Sequence, residues 1–152
     1  MSAWVHIAGM IRLDHGDIPF PRTDDQIKSH LISILSRPVT FEDLESLYDQ
    51  CKLPMGDEGS VDYIISTKPD EEDGSHSNVA QIGFWGDLRG VRDQDVPQKI
   101  ETWVIGLQEL LETQHQFTIR ELMFVANSYS HKYVWVLTND KIERIVTTDE
   151  VA

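Results

Sequence analysis

The chain has 152 residues, of which 40% are hydrophobic and 9% aromatic, enough for one packed domain and too apolar for a disordered acidic tail. A net charge of -13, from 26 acids against 13 bases, argues against a nucleic-acid backbone as partner, because affinity for phosphates comes from clustered Lys and Arg. One cysteine excludes an internal disulfide framework, and no apolar run reaches the roughly 18 residues of a membrane span.

Residues 3 to 13 alternate with period two, placing Val5, Ile7, Ile11 and Leu13 on one face and Trp4, His6, Met10 and Arg12 on the other, which predicts a strand with a covered inner side. Gly16, Pro19 and Pro21 break it. Thr23-Asp-Asp-Gln26 is a capping box for a first helix of roughly three turns carrying Ile27, Leu31, Ile34 and Leu35. Pro38 stops that helix, and Thr40 begins a shorter one with Phe41, Leu44, Leu47, Tyr48 and Cys51 on its apolar side. Cys51 there is a core residue and not a nucleophile.

Val61 to Thr67 and Val79 to Trp85 read as a strand pair joined by the acidic loop 68–77, followed by a glycine-flanked Gly86-Asp-Leu-Arg89 turn. Asp95 as the cap, with Pro97 in the first turn, opens the best helix pattern of the chain, with Ile100, Trp103, Val104, Leu107, Leu110 and Leu111 as a continuous stripe. Phe117 to Ala126 and Lys132 to Leu137 form a last hairpin, and 142–146 adds either a short strand or, within 138–152, a tail. The order fits an α+β fold: a ferredoxin-like split β-α-β sandwich with an extra short helix and an extra C-terminal strand, in one domain spanning 1–152. Its second sheet face would present Trp4, His6, Met10, Asp62, Trp85 and Met123 or Val125, which is too apolar to be left wholly to water, so either the acidic helix covers it or a partner does.

Charge is unevenly spread. Residues 1–39 are neutral, 40–75 carry a net -9, and 76–152 carry a net -4. The acidic third is either a solubilising surface or a contact for a basic partner, with Glu58, Asp70, Glu71, Glu72 and Asp73 as candidate partner-binding residues. For a small anion or nucleotide, the candidates are Trp85, Asp87, Arg89 and Arg92: an arginine clamp before a helix N-terminus and a ring for stacking. A weaker third reading is a hydrolase built on Asp14, His15 and Asp87. The six histidines have no i, i+4 pair and no His-Glu-x-x-His spacing, so no metal, cofactor or catalytic residue is assigned.

Met1-Ser-Ala-Trp-Val-His6, Pro54-Met-Gly-Asp-Glu-Gly-Ser-Val-Asp-Tyr63 and Gly86-Asp-Leu-Arg89 together resemble a group of small uncharacterised proteins of tailed bacteriophages, over residues 1 to about 137. The resemblance carries no site residues. It implies a phage-encoded accessory protein in the host cytoplasm. The function expected is therefore non-enzymatic occupation of a protein partner, of the host or its defences, without direct nucleic-acid or membrane binding. A homodimer through the sheet face or edge is compatible with this reading.

Overall fold

Strict alternation over eleven residues makes the central strand, β1 (Trp4–Asp14), which buries Val5, Ile7, Ile11 and Leu13 and exposes Trp4, His6, Ala8 and Arg12. The structure, a computed structural model, describes residues 4–14, 24–35, 61–67, 79–89, 93–128 and 131–148. Helix α1 (Asp24–Leu35) follows β1, and then come β2 (Val61–Thr67), β3 (Val79–Arg89), helix α2 (Val96–Glu109), β4 (Thr118–Asn127), β5 (His131–Thr138) and β6 (Lys141–Thr148). The strands form one six-stranded sheet in the order β2-β3-β1-β4-β5-β6, with every neighbouring pair antiparallel. The architecture is mixed α+β. The short helix expected over 40–51 and the acidic loop 68–77 lie outside the described residues.

One face of this sheet carries the core. Ile27, Leu31, Ile34 and Leu35 of α1, and Ile100, Trp103, Val104 and Leu107 of α2, join the inward residues of the strands in a single buried cluster, so both helices cover the same face. The α2 stripe continues through a π-helical turn, Leu110–Gln114, which buries Leu110 and Leu111. At the centre stand three rings at mutual centroid distances of 5.1 to 5.4 Å: Phe84, Phe124 and, edge-on to both, Trp103. Gly9 lies between Phe84 and Phe124 in register, and a Cβ there would meet Phe124 Cδ1 at 2.3 Å. Residue 9 has to be glycine for the Phe124 ring to lie against the strand.

Two sequence expectations need correction. The turn expected at Gly86–Arg89 is the last third of β3, because β1 extends to Trp4 and supplies ladder partners for each residue: Ile7 for Gly86, His6 for Asp87, Val5 for Leu88 and Trp4 for Arg89. Leu88 is buried, which holds this stretch in the sheet. At α2, Asp95 occupies the cap position with φ -93° and ψ -14° and makes no side-chain cap hydrogen bond. A capping side chain needs extended backbone at that position, whereas Asp95 closes a 3-10 turn, Asp93–Asp95, that leads into the helix.

The chain end is a paired strand. Asn139 and Asp140, both at positive φ (51° and 64°), make a two-residue hairpin between β5 and β6, the conformation that suits the twist of the flanking strands. Gln108 Nε2 donates to the Asp140 carbonyl at 3.1 Å, and Arg144 reaches Glu101 at 3.7 Å, which tie this hairpin to α2.

Glu112, in the π turn beneath that hairpin, has its carboxyl pKa raised, first by desolvation and further by nearby Asp140; hydrogen bonds from the Ile119 backbone and the Gln108 side chain oppose the shift. A raised folded pKa means the folded chain holds this proton more tightly than the unfolded chain, so stability falls as pH rises through the raised value. Glu112→Gln keeps an acceptor for the Ile119 N–H and removes the charge. We expect Tm to rise slightly at neutral pH, with the gain shrinking as pH falls through the titration of the carboxyl, as read by thermal melts across pH.

Candidate functional site

The sheet face away from the helices is built by the alternate residues of all six strands. Strand register aligns them into rows that run across the sheet. One row is Asp62, Trp85, Ala8, Val125, Val134 and Ile145; the next is Ile64, Gly83, Met10, Met123, Val136 and Glu143. Within these two rows Ile64 is 58% exposed, Trp85 and Met123 50%, and Ile145 48%. Glycine at position 83 gives Ile64 room, since a Cβ there would approach Ile64 Cγ2 to 3.3 Å. Among the described residues no helix is packed on this face.

Polar rows flank the apolar ones. On one side Asp87, His6, Asn127 and Lys132 lie in register, and His6 Nδ1 contacts Asp87 Oδ1 directly. Beyond them Arg89 sits over the Trp4 ring, 5.9 Å from its centroid. On the other side Ser66, Gln81, Arg12 and Glu121 form the matching row. Asp14 accepts two hydrogen bonds from Arg120, at 3.0 and 3.3 Å, beside the register shift at Arg12/Leu13. The pattern is an apolar band with a polar row on each side.

The structure brings together three of the four residues that the sequence suggests for a small ligand. Trp85, Asp87 and Arg89 are alternate residues of β3 and share the open face, with Trp4 and His6 of β1 as neighbours. They do not form an arginine clamp at a helix N-terminus, because Arg89 lies in the strand, stacked on Trp4. Arg92 lies outside the described residues, as do Glu58, Asp70, Glu71, Glu72, Asp73 and His15. Asp14 and Asp87 are at opposite ends of the β1–β3 ladder, separated by roughly 25 Å at the usual strand rise, so they do not form one hydrolytic centre.

Sequence spacing gave no sign of the contact between His30 of α1 and His115 after the π turn. Their Nε2 and Nδ1 atoms are 3.0 Å apart, the rings are edge-on at 5.0 Å, and Phe117 packs beside His30 at 5.6 Å. One imidazole donates and the other accepts, which ring does which depending on the tautomer. The two residues are 85 positions apart, and only the packing of α1 beside the end of α2 joins them. Among the described residues no group of three or more His, Cys, Asp or Glu side chains is placed to hold a metal ion.

No protein-family model matches the chain, and no curated protein matches it. Two solved structures are similar to it. A phage SAM lyase in complex with S-methyl-5'-thioadenosine is 14% identical, with 98% of this chain and 92% of that chain covered and a TM-score of 0.36. A chain of the Csm3-Csm4 subcomplex of the type III-A CRISPR-Cas interference complex is 14% identical, with 85% and 82% covered and a TM-score of 0.34. Both superpose too loosely to assign a fold family or an activity. Among the described residues no helix is long and apolar enough to cross a membrane.

Proposed function

We propose that the protein is a non-enzymatic binding protein that docks a protein partner on the open face of its sheet. The observation that carries this reading is the band of exposed Ile64, Trp85, Met123 and Ile145, on β2, β3, β4 and β6. Exposed apolar groups that are contiguous, and not scattered singly, are what soluble proteins keep for a contact surface. An apolar band flanked by polar rows matches the core-and-rim anatomy of protein interfaces, which places docking ahead of the nucleotide reading. Trp85 and Arg89 then act as contact residues of a protein interface, a role in which both residue types are enriched.

The strand order β2-β3-β1-β4, with α1 between β1 and β2 and α2 between β3 and β4, supports a split β-α-β sandwich extended by β5 and β6. In that arrangement the two described helices cover one face, and the partner takes the other. The resemblance to phage proteins favours a cytoplasmic partner in the host cell, and the acidic third, with Glu58 and Asp70 to Asp73, adds a second contact if that partner is basic. The test is affinity capture of the full chain and of Trp85→Glu and Met123→Lys variants from host lysate. Both substitutions place a charge at an exposed position, so the fold is kept. Capture lost in both variants is expected, and capture equal to wild type would overturn the reading.

A further inference from the structure

We infer that the occupant of the open sheet face is a second copy of this chain, packed sheet to sheet in a symmetric dimer; this rests on the reading of that face as a docking surface, and a host protein seated there instead is an outcome of the test below. The first argument is charge. The chain as a whole carries -13, yet among the described residues its open face is balanced. Asp62 and Asp87 on the β2–β3 side, with Glu121 and Glu143 on the β4–β6 side, are matched in number by Arg12 and Arg89 on the central strands and Lys132 and Lys141 on β5 and β6. The Asp14–Arg120 ion pair at the register shift adds one charge of each sign. A face built for a basic partner would carry the acidic excess of the chain. A two-fold contact brings the same patch against itself, doubling any net charge it holds, so it requires balance.

The second argument is area. Six strands at a spacing of about 4.8 Å, over the seven positions from His6 to Arg12, give a patch of roughly 25 by 20 Å. That is about 500 Å² in projection for each copy, or about 1,000 Å² for the pair, at the lower limit for a specific interface and in keeping with a dimer that dissociates on dilution. Flat sheets pack face to face at about 10 Å, a gap that two layers of such side chains fill. Trp85 and Met123, at the middle of the apolar band, would then be buried against the partner copy, with the His6–Asp87 and Arg12–Glu121 rows as the polar rim.

Sedimentation equilibrium of the full chain tests this. Wild type is expected to be a dimer of twice 17.4 kDa that dissociates on dilution. Trp85→Glu is expected to weaken it by at least about 30-fold, the effect of removing a central hot spot. Ile105→Lys, at an exposed position of α2 in the helical layer, should leave it unchanged. A monomer at several hundred micromolar, or a dimer indifferent to Trp85→Glu, would overturn the inference. A monomeric wild type that still captures another protein through Trp85 would overturn the dimer alone, and loss of that capture as well would remove the docking reading with it.

Discussion

Trp103→Ala is expected to lower Tm by about 10 °C or more, the largest loss among single substitutions considered for this chain. Trp103 is 4% exposed and stands edge-on to both Phe84 and Phe124, so its removal empties the point where α2 meets the centre of the sheet. Truncating a buried tryptophan to alanine costs about 3–5 kcal/mol, and a domain of this size loses about 2–4 °C for each of those. The indole Nε1 of Trp103 has no hydrogen-bond partner among the described residues, so almost all of the loss comes from packing. Trp103→Phe should therefore recover more than half of the stability: it keeps an edge-on ring, leaves a smaller void and removes an unpaired N–H. Thermal melts of the two variants check this; equal losses would mean that the second ring of the indole, and not the aromatic cluster, holds the helix in place.

Gly9→Ala is expected to cost about 3 kcal/mol, although it adds only one methyl group. The new Cβ would lie 2.3 Å from Cδ1 and 2.6 Å from Cε1 of Phe124, a ring that is fully buried against Phe84 and Trp103. Phe124 is buried between the Phe84 and Trp103 rings, and β1 is hydrogen-bonded on both sides, so neither element yields cheaply. Gly83→Ala is the contrasting case. Its nearest neighbour is Ile64 Cγ2 at 3.3 Å, on a side chain 58% exposed and able to turn aside, so the effect should stay within about 0.5 kcal/mol. Denaturant unfolding of the two glycine variants separates them; a mild Gly9→Ala would mean that the sheet centre is looser than its contacts suggest.

Much of this fold is written in local periodicity. The alternation in β1 and the helical stripe from Ile100 to Leu111 each point to one face, and those faces are the buried ones. The end of β3 was not legible, because Gly86-Asp-Leu-Arg89 has turn composition and its strand state depends on β1, more than 70 residues earlier, reaching Trp4. The β5–β6 hairpin was half legible. Its turn is Asn139-Asp140 without a glycine, a weaker signal than Asn-Gly, though both residue types tolerate positive φ. The open face could be foreseen residue by residue on β1 and β3, since period two places Trp4, His6 and Trp85 opposite the core. Its continuity could not: the row from Asp62 to Ile145 exists only once five strand registers are set. The contact between His30 and His115 was invisible for the same reason.

Hydroxyl-radical footprinting, read by mass spectrometry, tests most directly whether the open face is a docking surface. The protein is labelled in its native assembly in a gentle lysate and again as the isolated chain at high dilution. Met123 and Trp85, each 50% exposed in the chain alone, are expected to be strongly labelled when dilute and protected in the assembly, while Ile105 on α2 is labelled alike in both. Equal labelling of Met123 and Trp85 in the two states would mean that the face stays open to water and that the partner binds elsewhere.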